Sequence, residues 1–134
     1  MSEPWPTLFA ERGWLYEIVA ELPGAHAADQ LVWGDVVVLW VGPKMFGILA
    51  PHPDGRMLLT IKLPPAQSDA LRDSHAWITP GYHLNKRHWS SLELDHPDAA
   101  PELTEMLIED SHACLVATLP RWRQDEIRTG VPRP

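Results

Sequence analysis

The chain has 134 residues and a mass of 15.1 kDa, with 45% hydrophobic and 22% charged positions. These values are typical of one domain with its own hydrophobic core, and the single cysteine excludes a disulfide framework. No apolar run approaches the ~20 residues that cross a bilayer, and the first residues lack the basic and apolar regions of a signal peptide. We therefore expect a cytoplasmic protein that does not contact a membrane.

The charges are unevenly distributed along the chain. Eighteen acidic and eleven basic residues give a net charge of −7, which disfavours indiscriminate binding to polyanions. Residues 74–92, however, hold two basic residues, three histidines and no acidic residue. A site for an anion is therefore expected in this middle segment.

The first predicted element is an amphipathic helix. Its apolar side chains recur at spacings of three, four and seven residues, namely Leu8, Leu15, Ile18, Val19 and Leu22. Pro23 and Gly24 then end the helix.

A three-stranded antiparallel meander is predicted next. Residues 35–41, 44–50 and 56–63 are rich in β-branched and large apolar side chains, and short Gly- and Pro-containing turns separate them. Strands joined by such short turns must run antiparallel, because a parallel crossover needs a dozen or more residues.

The remaining elements complete an α+β domain. A short helix is predicted over 66–74, extended or turning chain over 77–82, a further strand over 88–94 and a C-terminal helix over 99–118, with Asp98 as its N-cap. The predicted architecture is an N-terminal helix, an antiparallel meander, a short helix, a strand and a C-terminal helix packed on the sheet. Residues 1–120 form the single domain, and residues 121–134 form an Arg- and Pro-containing tail.

No motif in the chain predicts an enzyme. Asp110, Ser111 and His112 are the residue types of an acyl-transfer triad, but consecutive helix residues point about 100° apart. The histidines lack metal-binding spacings, and the chain has neither a phosphate loop nor a dinucleotide fingerprint. We therefore expect no catalytic residue, no bound metal and no cofactor.

Three lysines define one candidate surface. If the third strand alternates, Lys62 lies on the face opposite the apolar positions 59, 61 and 63. Lys44 starts the second strand, near the end of the third, so that Lys44, Lys62 and Lys86 can converge on one side. The alternative is a row of charges that keeps a solvated sheet face soluble.

Trp89 extends this candidate surface. It follows Asn85, Lys86, Arg87 and His88 in the segment without acidic residues, and this residue mix can stack a base and neutralise phosphate. Alternatively, Trp89 anchors its strand in the core while the two basic side chains remain solvated.

Seven segments of the chain occur in the order and spacing of a known family. They are Leu22-Pro23-Gly24, Gly42-Pro43-Lys44-Met45-Phe46, Thr60-Ile61-Lys62, Thr79-Pro80-Gly81-Tyr82-His83, Asn85-Lys86-x-x-Trp89, Leu107-Ile108-Glu109-Asp110-Ser111 and Leu119-Pro120. Over about residues 14–122 the chain thereby resembles the MmcQ/YjbR family of small bacterial proteins. It departs from the family's pattern at His112, where tyrosine is usual, and at Arg121, where lysine is common.

The resemblance implies an α+β fold similar to frataxin, with paired hairpin "wings", and a DNA-binding function. The residues that match the family's charged and polar positions are Lys44, Lys62, Tyr82, Asn85, Lys86 and Trp89. These positions coincide with the surface inferred above from the residues alone.

The predicted function is non-enzymatic DNA binding by a monomer. Lys44, Lys62, Lys86 and Arg87 would contact phosphates, and Trp89 or Tyr82 would stack on or wedge between bases, giving weak, salt-sensitive binding.

Two other hypotheses remain open. In the first, the same lysines bind an acidic protein or a small anion. In the second, an acidic helix surface formed by Glu102, Glu105, Glu109 and Asp110 binds metal, although a solvated helix face explains the same spacing.

Overall fold

The protein is described by a computed structural model that covers residues 13–30, 36–82 and 84–130. The elements of this part are, in chain order, α1 (Gly13–Ala20), β1 (Ala25–Asp29), β2 (Val37–Val41), β3 (Lys44–Pro51), β4 (Met57–Lys62), α2 (Pro65–Ser74), β5 (Ile78–Pro80), β6 (Trp89–Glu93), α3 (Pro101–Val116) and α4 (Arg121–Thr129). The predicted α+β class is thus confirmed. Leu8 in the first predicted helix and Asp35 at the start of the first predicted strand lie outside the described residues.

The six strands form one sheet in the order β1-β2-β3-β4-β6-β5, and every neighbouring pair is antiparallel. Strands β2, β3 and β4 are the predicted meander, and the strand predicted over 88–94 corresponds to β6. The edge strand β1 was not predicted, because its sequence, AHAAD, has no β-branched or aromatic residue apart from a histidine. The sheet is therefore wider than the sequence indicates.

One face of the sheet carries the hydrophobic core. Leu59, Ile61 and Leu63 belong to this core, as the predicted alternation of β4 requires. The helices contribute further members of the same cluster, namely Leu15 and Val19 from α1 and Leu107, Ile108 and Leu115 from α3. Because Leu71 of α2 and Ile127 of α4 also pack against it, the four helices of the described residues lie on this face.

A β-bulge interrupts β3. The register of the β2–β3 pair shifts by one residue, so that Phe46 has no partner on β2. Phe46 is fully buried, and its carbonyl accepts a hydrogen bond of 3.0 Å from Ser111 Oγ on α3. Because of this extra residue, the side chains that precede Phe46 in β3 project from the opposite faces to those that a regular strand would give. Lys44 accordingly pairs with the core residue Val41.

The start of α3 differs from the prediction. Its N-cap is Ala100, in extended conformation (φ −112°, ψ 121°) and without a side-chain cap, so the predicted N-cap Asp98 is wrong. Asp98 lies instead in the preceding turn, where its backbone N–H donates to His96 Nδ1 at 3.0 Å. Pro101 occupies the first helical turn, where its missing N–H costs nothing.

The segment after α3 contains a further helix. Residues 121–129, which the sequence analysis places in a tail, form α4, and Ile127 packs against the core. Gly130 ends this helix in the left-handed conformation, with φ 73°.

Candidate nucleic-acid interface

Lys62 and Trp89 are cross-strand partners on β4 and β6. Directly opposite residues of an antiparallel pair project from the same face, with Cβ atoms about 5 Å apart. Because Leu59 and Ile61 point into the core, Lys62 and Trp89 lie on the opposite face, away from the four helices of the described residues. Both residues are half-buried, which places an ammonium group next to a partly exposed indole.

Tyr82 is held over the same face by the strands beneath it. Its backbone N–H donates to Ser91 Oγ at 3.1 Å, and Ser91 Oγ is 2.7 Å from Thr60 Oγ1 in a buried hydroxyl pair. The ring of Tyr82 packs against that of His52, with centroids 4.5 Å apart. These contacts fix the direction in which the chain leaves β5. We call residues 81–82 and 84–88, between β5 and β6, the β5–β6 loop.

Asn85 shapes the turn at the end of this loop. Its Oδ1 accepts the backbone N–H of Arg87 at 2.9 Å, and its carbonyl accepts the N–H groups of His88 and Trp89 at 3.1 and 3.0 Å. Side-chain acceptance of an N–H two residues ahead is the property that favours asparagine in turns. Asn85 therefore positions its basic neighbours.

Arg72, which sequence analysis did not select, clamps the loop from α2. Its Nη2 donates to the carbonyls of Lys86 and Trp89, both at 2.5 Å, and its Nε donates to Ser90 Oγ at 3.3 Å. A guanidinium supplies several donors in a rigid planar fork, so one side chain can fix three acceptors. The sequence indicates only that Arg72 lies in the last turn of a predicted helix. It does not indicate which segment of the chain the arginine contacts.

Gly81 permits the close approach of the loop to β6. A Cβ atom at this position would lie 2.6 Å from Trp89 Cβ and 2.8 Å from the Trp89 carbonyl oxygen. The Gly81 N–H donates to that oxygen at 2.9 Å, and the Gly81 carbonyl accepts Lys86 Nζ at 2.9 Å. The base of the loop is thus closed by one backbone and one charged hydrogen bond.

The interface is locally basic although the chain is acidic. Lys86 and Arg87 are exposed and Lys62 is half-buried, and within the described residues none of the three forms an ion pair. Lys86 Nζ uses one of its three donors on Gly81, which leaves two for a ligand. The loop thereby presents accessible positive charge next to Trp89.

Arg56, on the same side of the sheet at the far end of β4, is neutralised. It pairs with Asp54 at 2.7 Å and with Glu93. The side-chain hydrogen bond with Asp54 raises the pKa of Arg56, and the backbone N–H of Arg56 is the main cause of the lowered pKa of Asp54. Among the described residues of this surface, the unpaired cations therefore lie at its loop end.

The structure does not bring Lys44 to this interface. Since Lys44 pairs with Val41, whose side chain is in the core, it projects toward the helix side of the sheet, whereas Lys62 projects from the other face. We define the interface as Lys62, Tyr82, Asn85, Lys86, Arg87 and Trp89. Lys44 instead lines a cleft beside α4.

Asp110, Ser111 and His112, considered above as a catalytic triad, each contact a different part of the fold. Asp110 accepts a hydrogen bond from Gln67, Ser111 donates to Phe46, and His112 Nε2 lies 2.7 Å from the Pro23 carbonyl. These three side chains therefore do not form a hydrogen-bonded triad. Among residues 13–30, 36–82 and 84–130, no three His, Cys, Asp or Glu side chains are grouped to hold a metal ion.

In its described residues the chain is an α+β protein with a six-stranded antiparallel sheet and four helices on one face. None of the helices in the described ranges has the length and hydropathy needed to span a bilayer. The YjbR family model matches residues 20–114, and the chain belongs to this family. The resemblance seen in the sequence is confirmed.

Bacterial relatives support the assignment. The chain is 31% identical to the uncharacterized protein YbdF of Escherichia coli O157:H7 over 93 residues, which cover 69% of this chain and 75% of YbdF. It is 38% identical to the uncharacterized protein YjbR of Escherichia coli K12 over 73 residues, covering 54% and 60% of the two chains. A match of 38% identity to the uncharacterized protein YyaQ of Bacillus subtilis covers 41% of this chain and 46%, about half, of YyaQ.

Solved structures share the fold. The crystal structure of Deinococcus radiodurans protein DR2400, with the family-model domain DUF419, aligns with a TM-score of 0.73 and 26% identity over 88% of this chain and 86% of its own. A Pseudomonas syringae protein aligns with a TM-score of 0.64 and 22% identity over 75% of this chain and 94% of its own, which is a likeness of fold alone.

Proposed function

We propose that this protein is a non-enzymatic, cytoplasmic DNA-binding protein that acts as a monomer through the interface around the β5–β6 loop. The observation that carries the proposal is the pairing of Lys62 with Trp89 beneath a loop whose Lys86 and Arg87 are exposed. A base needs an aromatic face and its phosphates need cations, and this surface offers both within one strand pair and one turn.

The residues divide into two roles. Lys62, Lys86 and Arg87 contact phosphates, which position the nucleic acid without reading its sequence. Trp89 offers a partly exposed ring on which a base stacks, a contact worth about 1–3 kcal/mol. Tyr82, whose ring packs against His52, offers a second aromatic group on the same face of the sheet. Arg72 and Asn85 support these groups by holding the loop, and they contact no ligand themselves.

The charges determine how binding depends on salt. With three phosphate contacts, the slope of log K against log[salt] should be about −2.7 for duplex DNA and about −2.1 for a single strand. Affinity is accordingly modest, and the net charge of −7 repels DNA from the rest of the surface.

The test is fluorescence anisotropy with labelled duplex and single-stranded DNA at several salt concentrations. The key variant is the triple substitution Lys62→Ala, Lys86→Ala, Arg87→Ala, which should abolish most of the salt slope. Its folding is checked by circular dichroism, because Lys86 also hydrogen-bonds Gly81.

A charge-matched control separates contact from general electrostatics. The control is the triple substitution Lys44→Ala, Arg121→Ala, Arg128→Ala. It also removes three positive charges, but from the helix side of the protein. We expect this variant to bind DNA with nearly the wild-type slope. Equal losses in both triple variants, or no binding by the wild type at low salt, would reject the proposal.

The other function that the sequence allows is recognition of a small anion or an acidic protein by the same cations. Competition distinguishes it from DNA binding. A mononucleotide or an acidic peptide that displaces DNA at equal or lower concentration than unlabelled DNA would favour this alternative.

A further inference from the structure

A cleft of about 390 Å³ lies between the β2–β3 turn and helix α4, away from the DNA interface. Its apolar walls include Val41, Leu119, Pro120 and Ile127. Leu119 and Ile127 also pack against the core, so the walls belong to the rigid part of the fold. The volume falls in the range of pockets that hold small organic molecules.

Three of the sequence segments singled out above meet at this cleft. They are the segments at residues 22–24, 42–46 and 119–120, which supply Gly24, the Gly42-Pro43-Lys44 turn and Leu119-Pro120. Gly24 has φ +73°, and a Cβ atom there would lie 3.0 Å from Ile127. The DNA interface uses none of these segments.

Trp122 forms an aromatic wall of the cleft. Its exposed fraction is 40%, and it is one of two large hydrophobic residues in the described part of the chain that are this accessible. The guanidinium carbon of Arg123 lies 4.8 Å from the centroid of its ring. This stacking orients a cation beside a flat apolar surface.

Two cations line the cleft in the described part of the chain. They are Lys44 and Arg123. Lys44 is exposed and forms no ion pair within the described residues. The negative charge of a ligand can therefore be attracted to this side of the cleft.

We propose that the cleft binds a small organic anion carrying a flat apolar ring, of the aromatic carboxylate class. The ring would pack between Trp122 and the apolar wall at Ile127, and the carboxylate would face Lys44 and Arg123. This site is separate from the proposed DNA interface. Lys44, which the sequence analysis predicted to contact DNA, would instead bind this ligand.

The probe is 2-naphthoate, compared with neutral 2-naphthamide. Binding is followed by calorimetry and by the NMR signal of the Trp122 indole N–H, which is identified by its loss in Trp122→Phe. We expect saturable binding of naphthoate at sub-millimolar concentration, with a shifted Trp122 signal, and about fivefold weaker binding of the amide.

Substitutions locate the charge contacts. Lys44→Ala and Arg123→Gln should each weaken naphthoate binding about fivefold, and Trp122→Ala should abolish it. Lys62→Ala, on the other face of the sheet, is the matched control and should leave naphthoate binding unchanged. Equal affinity for the acid and the amide, an unmoved Trp122 signal, or an equal effect of Lys62→Ala would overturn the proposal. Since no readout involves DNA, the result is independent of the proposed function.

Discussion

Replacing Arg72 with methionine should destabilise the protein and disorganise the proposed DNA interface. The substitution keeps most of the aliphatic volume but removes the donors to the Lys86 and Trp89 carbonyls and to Ser90 Oγ. The Lys86 carbonyl can be rehydrated and the Trp89 carbonyl retains the N–H of Gly81, but Ser90 is fully buried and loses its charged partner.

The expected cost follows from these partners. A hydrogen bond from a charged donor contributes about 1.5–3 kcal/mol. Ser90 Oγ loses its charged donor while buried, whereas the Lys86 and Trp89 carbonyls find water or keep another donor. We therefore expect the free energy of unfolding to fall by about 2–3 kcal/mol. For a chain of 134 residues, about 4 °C per kcal/mol corresponds to a fall in Tm of about 8–12 °C.

Urea unfolding followed by circular dichroism measures this loss directly. Arg72→Lys, which keeps the charge but not the planar fork, should recover only part of it. Arg87→Met is the control: Arg87 is exposed, so stability should be unchanged while DNA affinity falls. An unchanged urea midpoint in Arg72→Met would refute the clamp.

Three further outcomes are expected. Gly81→Ala should cost about 1–3 kcal/mol in urea unfolding, because the added methyl group meets Trp89 at 2.6 Å; wild-type stability would mean that the loop can shift freely. Lys44→Ala should leave DNA affinity within about twofold of wild type by anisotropy, and a larger loss would place Lys44 at the interface. Hydrogen bonds from Arg56, chiefly its backbone N–H, lower the pKa of Asp54, so NMR titration should show a midpoint below the ordinary aspartate value. That carboxylate's stabilising contribution is complete above the unfolded-state pKa and is lost as pH falls through the lowered value; a midpoint at or above the ordinary value would contradict it.

The meander was predictable because strong local signals agree. Its strands are rich in β-branched and large apolar residues, and the Asp54-Gly55 turn fixes how β3 and β4 are joined. The same alternation correctly placed Lys62 opposite the core positions of β4. Strand β1 and helix α4 lack such signals, since one is rich in alanine and the other is strongly polar with Ile127 as its main apolar anchor.

The position of Lys44 shows where periodicity fails. With regular pairing of β2 and β3, Lys44 would lie on the same face as Lys62. The bulge at Phe46 inserts one residue and sends Lys44 to the opposite face. A bulge whose extra residue is buried under α3 depends on tertiary packing with Ser111, and no local pattern in the sequence reveals it.

The clamp by Arg72 was also beyond sequence reasoning. The hydrogen bonds join residues 14 to 18 positions apart, through a loop whose path depends on the close approach of Gly81 to β6. Composition identified the acid-free segment, but only the fold shows which of its side chains are exposed and which support the others.

The most direct test of the DNA-binding interface is NMR mapping with a short duplex of about 12 base pairs, slightly more than one helical turn, and with one of its single strands. The interface predicts salt-sensitive shifts of the Trp89 indole N–H and of the amides of Lys62, Lys86 and Arg87, while the amide of Lys44 stays unmoved. Shifts centred on Lys44 and α4, or none at low salt, would contradict the interface.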